Sequence, residues 1–140
     1  MDARLATPFR ALRLALGLTA ALAGLDKYFN MLANWSSYVS PAAASWLPFP
    51  VPTFMAIVGV VEIAVGVAIL WAAPRIGAYV ASAWLLLVAA NLVLGGHFDV
   101  AVRDVVMSVA AFTVARSCEV PGFVTSHFDA TWSTAHRATA

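Results

Sequence analysis

Glu62 is the residue in this chain with the clearest claim to chemistry. It is the lone carboxylate in Thr53–Trp71, nineteen residues that are otherwise apolar or small apart from Thr53. At the helical rise this run reaches across roughly 30 Å of hydrocarbon. An acid at such depth is costly, so it normally faces protein, water or a partner rather than lipid. Gly59, Glu62 and Gly66 are spaced by three and four residues, which places them on one helix face. Glycines at those positions leave a flat strip where a second helix can come close. Two uses of Glu62 are open: pinning two helices together, or handling a proton or a polar ligand. Lys27 is the candidate counter-charge. A lysine side chain reaches roughly 6 Å, so Lys27 pointing inward could approach Glu62.

Other chemistries find little support. The net charge is only +1, so no field steers nucleic acid or acidic partners. The single cysteine, Cys118, excludes an intrachain disulfide and a paired redox or metal motif. His97, His127 and His136 are scattered without ligand spacing, so neither a metal site nor a catalytic residue is assigned. Gly95-Gly96 reads as a turn rather than as a phosphate loop. No cofactor-binding pattern is recognisable. A quinone or a lipid is the ligand class left open.

The elements that would position Glu62 and Lys27 follow from composition. A hydrophobic content of 62 %, a charged content of 11 % and a mean hydropathy of +0.85 exceed what a soluble domain of 140 residues can bury. The chain is expected to be a single all-α integral membrane domain, a four-helix bundle with helices over about 9–32, 53–71, 76–96 and 100–117. Residues 1–8 read as a short arm, and residues 118–140 as a polar tail whose Phe123, Phe128 and Trp132 would suit a weak amphipathic helix as well as a loose end. Ala21-Leu22-Ala23 resembles a signal-peptidase site, but the apolar run continues past it as a helix.

Arg13, Gly17, Gly24 and Lys27 lie at offsets of 0, 4, 11 and 14, a single stripe of the first helix. The stripe reads as a packing face with an anchoring charge at each end, Arg13 snorkelling to the headgroups. Residues 33–52 form a long connection rich in aromatics and proline. Ser40-Pro41 predicts an N-cap and a short helix over 41–46. Trp35 and Trp46 are expected as interface anchors. In the third helix Asn91 is the one strongly polar interior residue, suited to bonding a neighbouring helix. In the fourth, Asp104 and Ser108 share a face.

Four spans put both termini on one side. Arg4, Arg10, Arg13, Arg75, Arg116 and Arg137 would then face that side against Lys27 and Arg103 on the other. The positive-inside rule makes the termini cytoplasmic and the aromatic loop extracytoplasmic. Threading by depth leaves the inner half nearly all apolar. Lys27, Glu62, Asn91, Arg103 and Asp104 gather in the outer half as an intramembrane polar cluster, with Gly17, Gly24, Gly59 and Gly66 as the packing glycines.

Arg13-Leu-Ala-Leu-Gly17 followed by Gly24-Leu-Asp-Lys27, together with Gly59-x-x-Glu62-x-x-x-Gly66 and Arg75 in a short turn, resembles the signature of the DoxX family. The likeness covers about residues 10–116. It implies a small four-helix protein of the bacterial cytoplasmic membrane, of a kind associated with membrane redox assemblies, including the small subunit of a thiosulfate:quinone oxidoreductase. Some relatives are thought to assist the maturation of disulfide-containing enzymes, a chemistry for which Cys118 alone is insufficient. The expectation is an accessory subunit without catalytic activity of its own, in contact with lipid and with other membrane subunits. A quinone-interacting oxidoreductase subunit is the alternative, and a small oligomeric transporter a second one.

Overall fold

Alanine and leucine set the course of the first helix, and an aspartate closes it. The computed structural model describes residues 3–120, which are 82 % helix and contain no strand. Helix α1 spans Ala3–Asp26, not 9–32. It runs through Pro8, near enough to the N-terminus that the missing N–H removes only a single backbone bond. At the other end the Asp26 carboxylate accepts the backbone N–H groups of Met31 at 3.0 Å and Leu32 at 2.9 Å. This bends the chain back, with Asn30 in the left-handed region at φ 52°, where asparagine is enriched.

The connection that follows holds a 3₁₀ turn, Trp35–Tyr38, and the short helix α2, Pro41–Trp46. Ser40 caps α2 as its sequence indicates, its hydroxyl accepting from Ala43 N at 3.1 Å. Helix α3 spans Val51–Val67 and continues as a π-turn over Ala68–Ala72. It begins before Thr53 because Pro52 occupies a first-turn position, where no N–H is required. The same reason starts α4 at Pro74 rather than Ile76; it ends at Leu94. Gly96, at φ 79°, then turns the chain into α5, Phe98–Ser117. Asp99 in the first turn of α5 and Arg116 in its last both suit the helix dipole.

Three of these helical stretches, Leu5–Asp26, Val51–Ala72 and Pro74–Leu94, are long and apolar enough to cross a membrane. Helix α5 is 20 residues long and more polar. Helix α1 packs chiefly on α3, and α4 on α5. The shared core draws Leu16 from α1, Val65 and Ile69 from the α3 stretch, Ala78 and Ala81 from α4, and Ala111 and Val114 from α5. Its many alanines let the helices close up. Between α4 and α5 the Ser108 hydroxyl donates to Ser82 O at 2.8 Å and lies 3.0 Å from the Ser82 hydroxyl. The tail from Pro121 onward lies outside the described residues.

Glycine governs the α1–α3 contact. A Cβ on Gly24 would sit 2.6 Å from Gly59 O, and one on Gly59 would sit 2.7 Å from Gly24 O. A Cβ on Gly66 would meet Ala21 N and Gly17 O at 2.7 Å. These are backbone atoms that cannot rotate aside, whereas the nearest atoms to Gly17 belong to the flexible Leu70 side chain. Gly59→Leu and Gly66→Leu are therefore expected to cost about 1–3 kcal/mol each through overpacking. Gly17→Ala should cost less than Gly66→Ala. Thermal melts in detergent that leave both leucine variants at the wild-type midpoint would contradict this contact.

At the Pro74 end, Glu119 just beyond α5 accepts from Tyr79 Oη at 2.8 Å and pairs with Arg75 at 3.1 Å and with Arg116. The Tyr79 hydroxyl, helped by the two guanidiniums, holds the Glu119 carboxyl below its usual range against the opposing effect of burial. A carboxyl depressed in the folded state adds stability above its ordinary pKa, lost as pH falls through the folded value. Acid between about pH 5 and pH 3 should lower the melting temperature more in wild type than in Glu119→Gln.

Candidate functional site

Lys27 follows directly on the last residue of α1, and Glu62 lies about three turns from the start of α3. The Gly24–Gly59 contact brings the two backbones so close that their side chains meet. Lys27 Nζ donates to Glu62 Oε2 at 2.5 Å, with the side chains 4 % and 15 % exposed. The approach inferred from the sequence is thus present as a direct ion pair. The other side of the ammonium faces the Trp35 ring, 3.9 Å from its centroid, where the π face attracts a cation.

Trp35 is accordingly not a free interface anchor. Its indole N–H donates to Asp26 Oδ2 at 2.8 Å, which fixes the ring over Lys27. Trp46, by contrast, is 88 % exposed. Asp26, Lys27, Trp35 and Glu62 form one chain of contacts, and the Asp26 carboxylate also shapes the backbone leading to Trp35. Tyr28 adds a bond from its hydroxyl to Ala56 O at 2.8 Å.

Asn91 does not bond a neighbouring helix. Its amide donates to Tyr38 O at 2.8 Å, and its carbonyl accepts from Ser40 N at 3.0 Å. One side chain on α4 thus satisfies two backbone groups of the loop, which have no ladder partner of their own. His97 Nε2 stands 3.2 Å from Ser37 O, and its ring meets Tyr38 edge-on at 5.0 Å. The loop is pinned over the ion pair from both helix pairs.

Arg103 and Asp104 pair with each other at 3.3 Å. Asp104 lies near enough to feel the Lys27 charge, but no hydrogen bond or ion pair among the described residues joins either residue to Lys27 or Glu62. Asp104 itself is only 6 % exposed. By hydrogen bonds the expected five-residue cluster resolves into a Lys27–Glu62 pair, an Asn91 loop clamp and an Arg103–Asp104 pair, with Asp104 and Lys27 still within reach of each other's charge.

Arg13 does not snorkel. Its Nε donates to Ile69 O at 2.7 Å and a terminal nitrogen to Leu70 O. Pro74 supplies no N–H, so the carbonyls at the end of the α3 stretch lack helical partners, and the guanidinium takes that role. Hence both charges of the Arg13–Lys27 stripe bind α3. Cys118 is half-buried, which pushes its thiol up and makes it a poor nucleophile. Among the described residues no group of three or more His, Cys, Asp or Glu gathers to hold a metal.

Spacing alone gives Asp26 no role. Its signal is a carboxylate at a helix C-terminus, where the dipole disfavours it unless backbone N–H groups of the next turn bind it. Comparison with family models, curated proteins and solved structures gives no match to this chain.

The ion pair makes a graded forecast. Glu62→Gln keeps shape and a hydrogen-bond acceptor and should fold nearly normally. Glu62→Leu strands the Lys27 ammonium and should lose about 3–5 kcal/mol, and adding Lys27→Met should recover most of that loss. Detergent melts of the three variants check it; a double variant no better than Glu62→Leu would show that the pair does not act as a unit.

Proposed function

We propose that this chain is a DoxX-like, multi-pass subunit of a bacterial cytoplasmic membrane, without catalysis of its own, that packs into a larger redox or energy-converting complex. The observation carrying the reading is the closed Lys27–Glu62 pair. Both charges are consumed in joining α1 to α3, and the loop that covers them is fastened by Asp26, Asn91 and His97. A group meant to exchange protons or bind a polar substrate would keep an approach open. Broad apolar surfaces support the partner half of the proposal: Leu14, Leu18 and Leu22 on α1 and Val102, Val106 and Val109 on α5 are all exposed.

In this reading α5 is a fourth span, and α1, α3, α4 and α5 form a bundle. Its charged residues cluster near its two ends, with Asp104 turned inward. The termini are cytoplasmic and the segment between α1 and α3 is extracytoplasmic, in keeping with the arginine distribution. A second reading, a quinone-interacting subunit, is favoured by Trp84. Its Nε1 is the one buried side-chain polar atom without a hydrogen-bond partner among the described residues. A quinone carbonyl would be a suitable acceptor.

Three measurements test these readings. In a Cys118→Ser background, cysteines introduced at Ser37 and Thr134 should label from opposite sides of the membrane; labelling from one side would remove α5 as a span. Gentle detergent extraction followed by mass spectrometry should show co-purifying membrane subunits. Glu62→Gln should leave both assembly and the activity of the host complex near normal, whereas an assembled but inactive complex would move the assignment to the quinone reading.

A further inference from the structure

Helices α3 and α4 leave the tight turn at Ala73 touching, then draw apart on one side. The opening is a groove of 340 Å³, lined by Val60, Ala64 and Ala68 on α3 and by Ile76, Gly77 and Val80 on α4. The cause is in the side chains. Ala64 and Ala68 are too small to fill the space beside them, and Gly77 sits so close to the π-turn that a Cβ there would be 2.8 Å from Ile69 N. Close contact at the turn with small residues above it leaves a slot. The groove is open along one side, with Val60, Ile76 and Val80 exposed, and every lining residue is apolar.

The end of the slot near the turn is chemically different. Trp71, three residues beyond Ala68, is largely exposed, and Arg75 immediately precedes Ile76. Arg75 and Arg116 share the single carboxylate of Glu119, so the cluster carries a net charge of +1, and both guanidiniums are more than 60 % exposed. An apolar groove with an exposed indole and surplus positive charge at the turn that ends it fits a molecule with one apolar chain and an anionic head.

We propose that this groove is a binding site for an anionic phospholipid, with one acyl chain lying between α3 and α4 and its phosphate at Arg75 and Trp71. The proposal rests on the orientation given above, which puts the Pro74 end at the cytoplasmic leaflet, where anionic lipids attract Lys and Arg. A partner helix would also fill an apolar slot, but it would leave the exposed charge at the mouth unanswered.

The test uses the full chain in detergent, titrated with phosphatidylglycerol or phosphatidylcholine of identical acyl chains and read by native mass spectrometry. Wild type should retain phosphatidylglycerol about fivefold more tightly than phosphatidylcholine, the effect of roughly one arginine at the headgroup. Arg75→Gln should abolish that preference and leave phosphatidylcholine retention unchanged. Ala64→Phe and Val80→Phe fill the slot from exposed positions and should weaken both lipids about tenfold or more, as the loss of two or three buried methylenes would. Val109→Phe, on the exposed face of α5, should change neither. Equal retention by wild type and both slot-filling variants would overturn the proposal, as would an undiminished preference in Arg75→Gln. Loss of a co-purifying protein in Ala64→Phe with lipid retention intact would also overturn it, by assigning the slot to a partner helix. Since lipid retention is read on the isolated chain, failure to find a host complex leaves this result standing.

Discussion

Backbone-to-backbone approach of α1 and α3 is the constraint on which the remaining structure depends. Gly24 and Gly59 each place a carbonyl oxygen where the other's side chain would have to be. At that separation Lys27 reaches Glu62, Arg13 reaches the last carbonyls of the α3 stretch, and Tyr28 reaches Ala56. The apolar surroundings supply little driving force between helices if lipid is the solvent, so packing and polar contacts must do most of the joining. Here the glycines set the distance and the charged ends set the register. Neither would suffice alone: a close contact without end charges could slide, and end charges without the glycines could not meet.

The loop segment is built on the same logic from both pairs of helices. Its backbone groups have no sheet or long helix to satisfy them, and side chains stand in. Asp26 takes two N–H groups, Asn91 serves one N–H and one C=O, and His97 meets a further carbonyl. The aromatic content of the segment is therefore partly structural. Trp35 is oriented by Asp26 and stacks on Lys27, which couples the covering loop to the ion pair beneath it.

Much of this was legible in the sequence because helical periodicity places residues by depth and by face. The offsets of Arg13, Gly17, Gly24 and Lys27 anticipated a single contact stripe, and the spacing of Gly59, Glu62 and Gly66 anticipated its counterpart. Helix ends were less legible, since prolines at 8, 52 and 74 are tolerated in opening turns and read equally well as boundaries. The targets of Asn91, Trp35 and Arg13 were not legible, because each bonds a group more than fifty residues away or one exposed by local geometry. A polar residue in an apolar run announces that it has a partner but not which one. That is also why Lys27, Glu62, Asn91, Arg103 and Asp104 read as one cluster when their hydrogen bonds divide them.

The π-turn at Ala68–Ala72 has a consequence for how this protein tolerates changes in length. There Ala73 N bonds to Ala68 O at 3.0 Å, one residue further back than in an ordinary helix, so the wider turn holds one residue more than an α-helical path of equal rise. Deleting a residue between 68 and 72 would restore regular winding, leaving the segments on either side in register but changing the partners of the carbonyls within the turn. The carbonyls that now meet Arg13 would be drawn toward helical bonds instead. A single deletion there should therefore loosen the hold of Arg13 on the α3 stretch, even where substitutions of one aliphatic side chain for another are freely accepted.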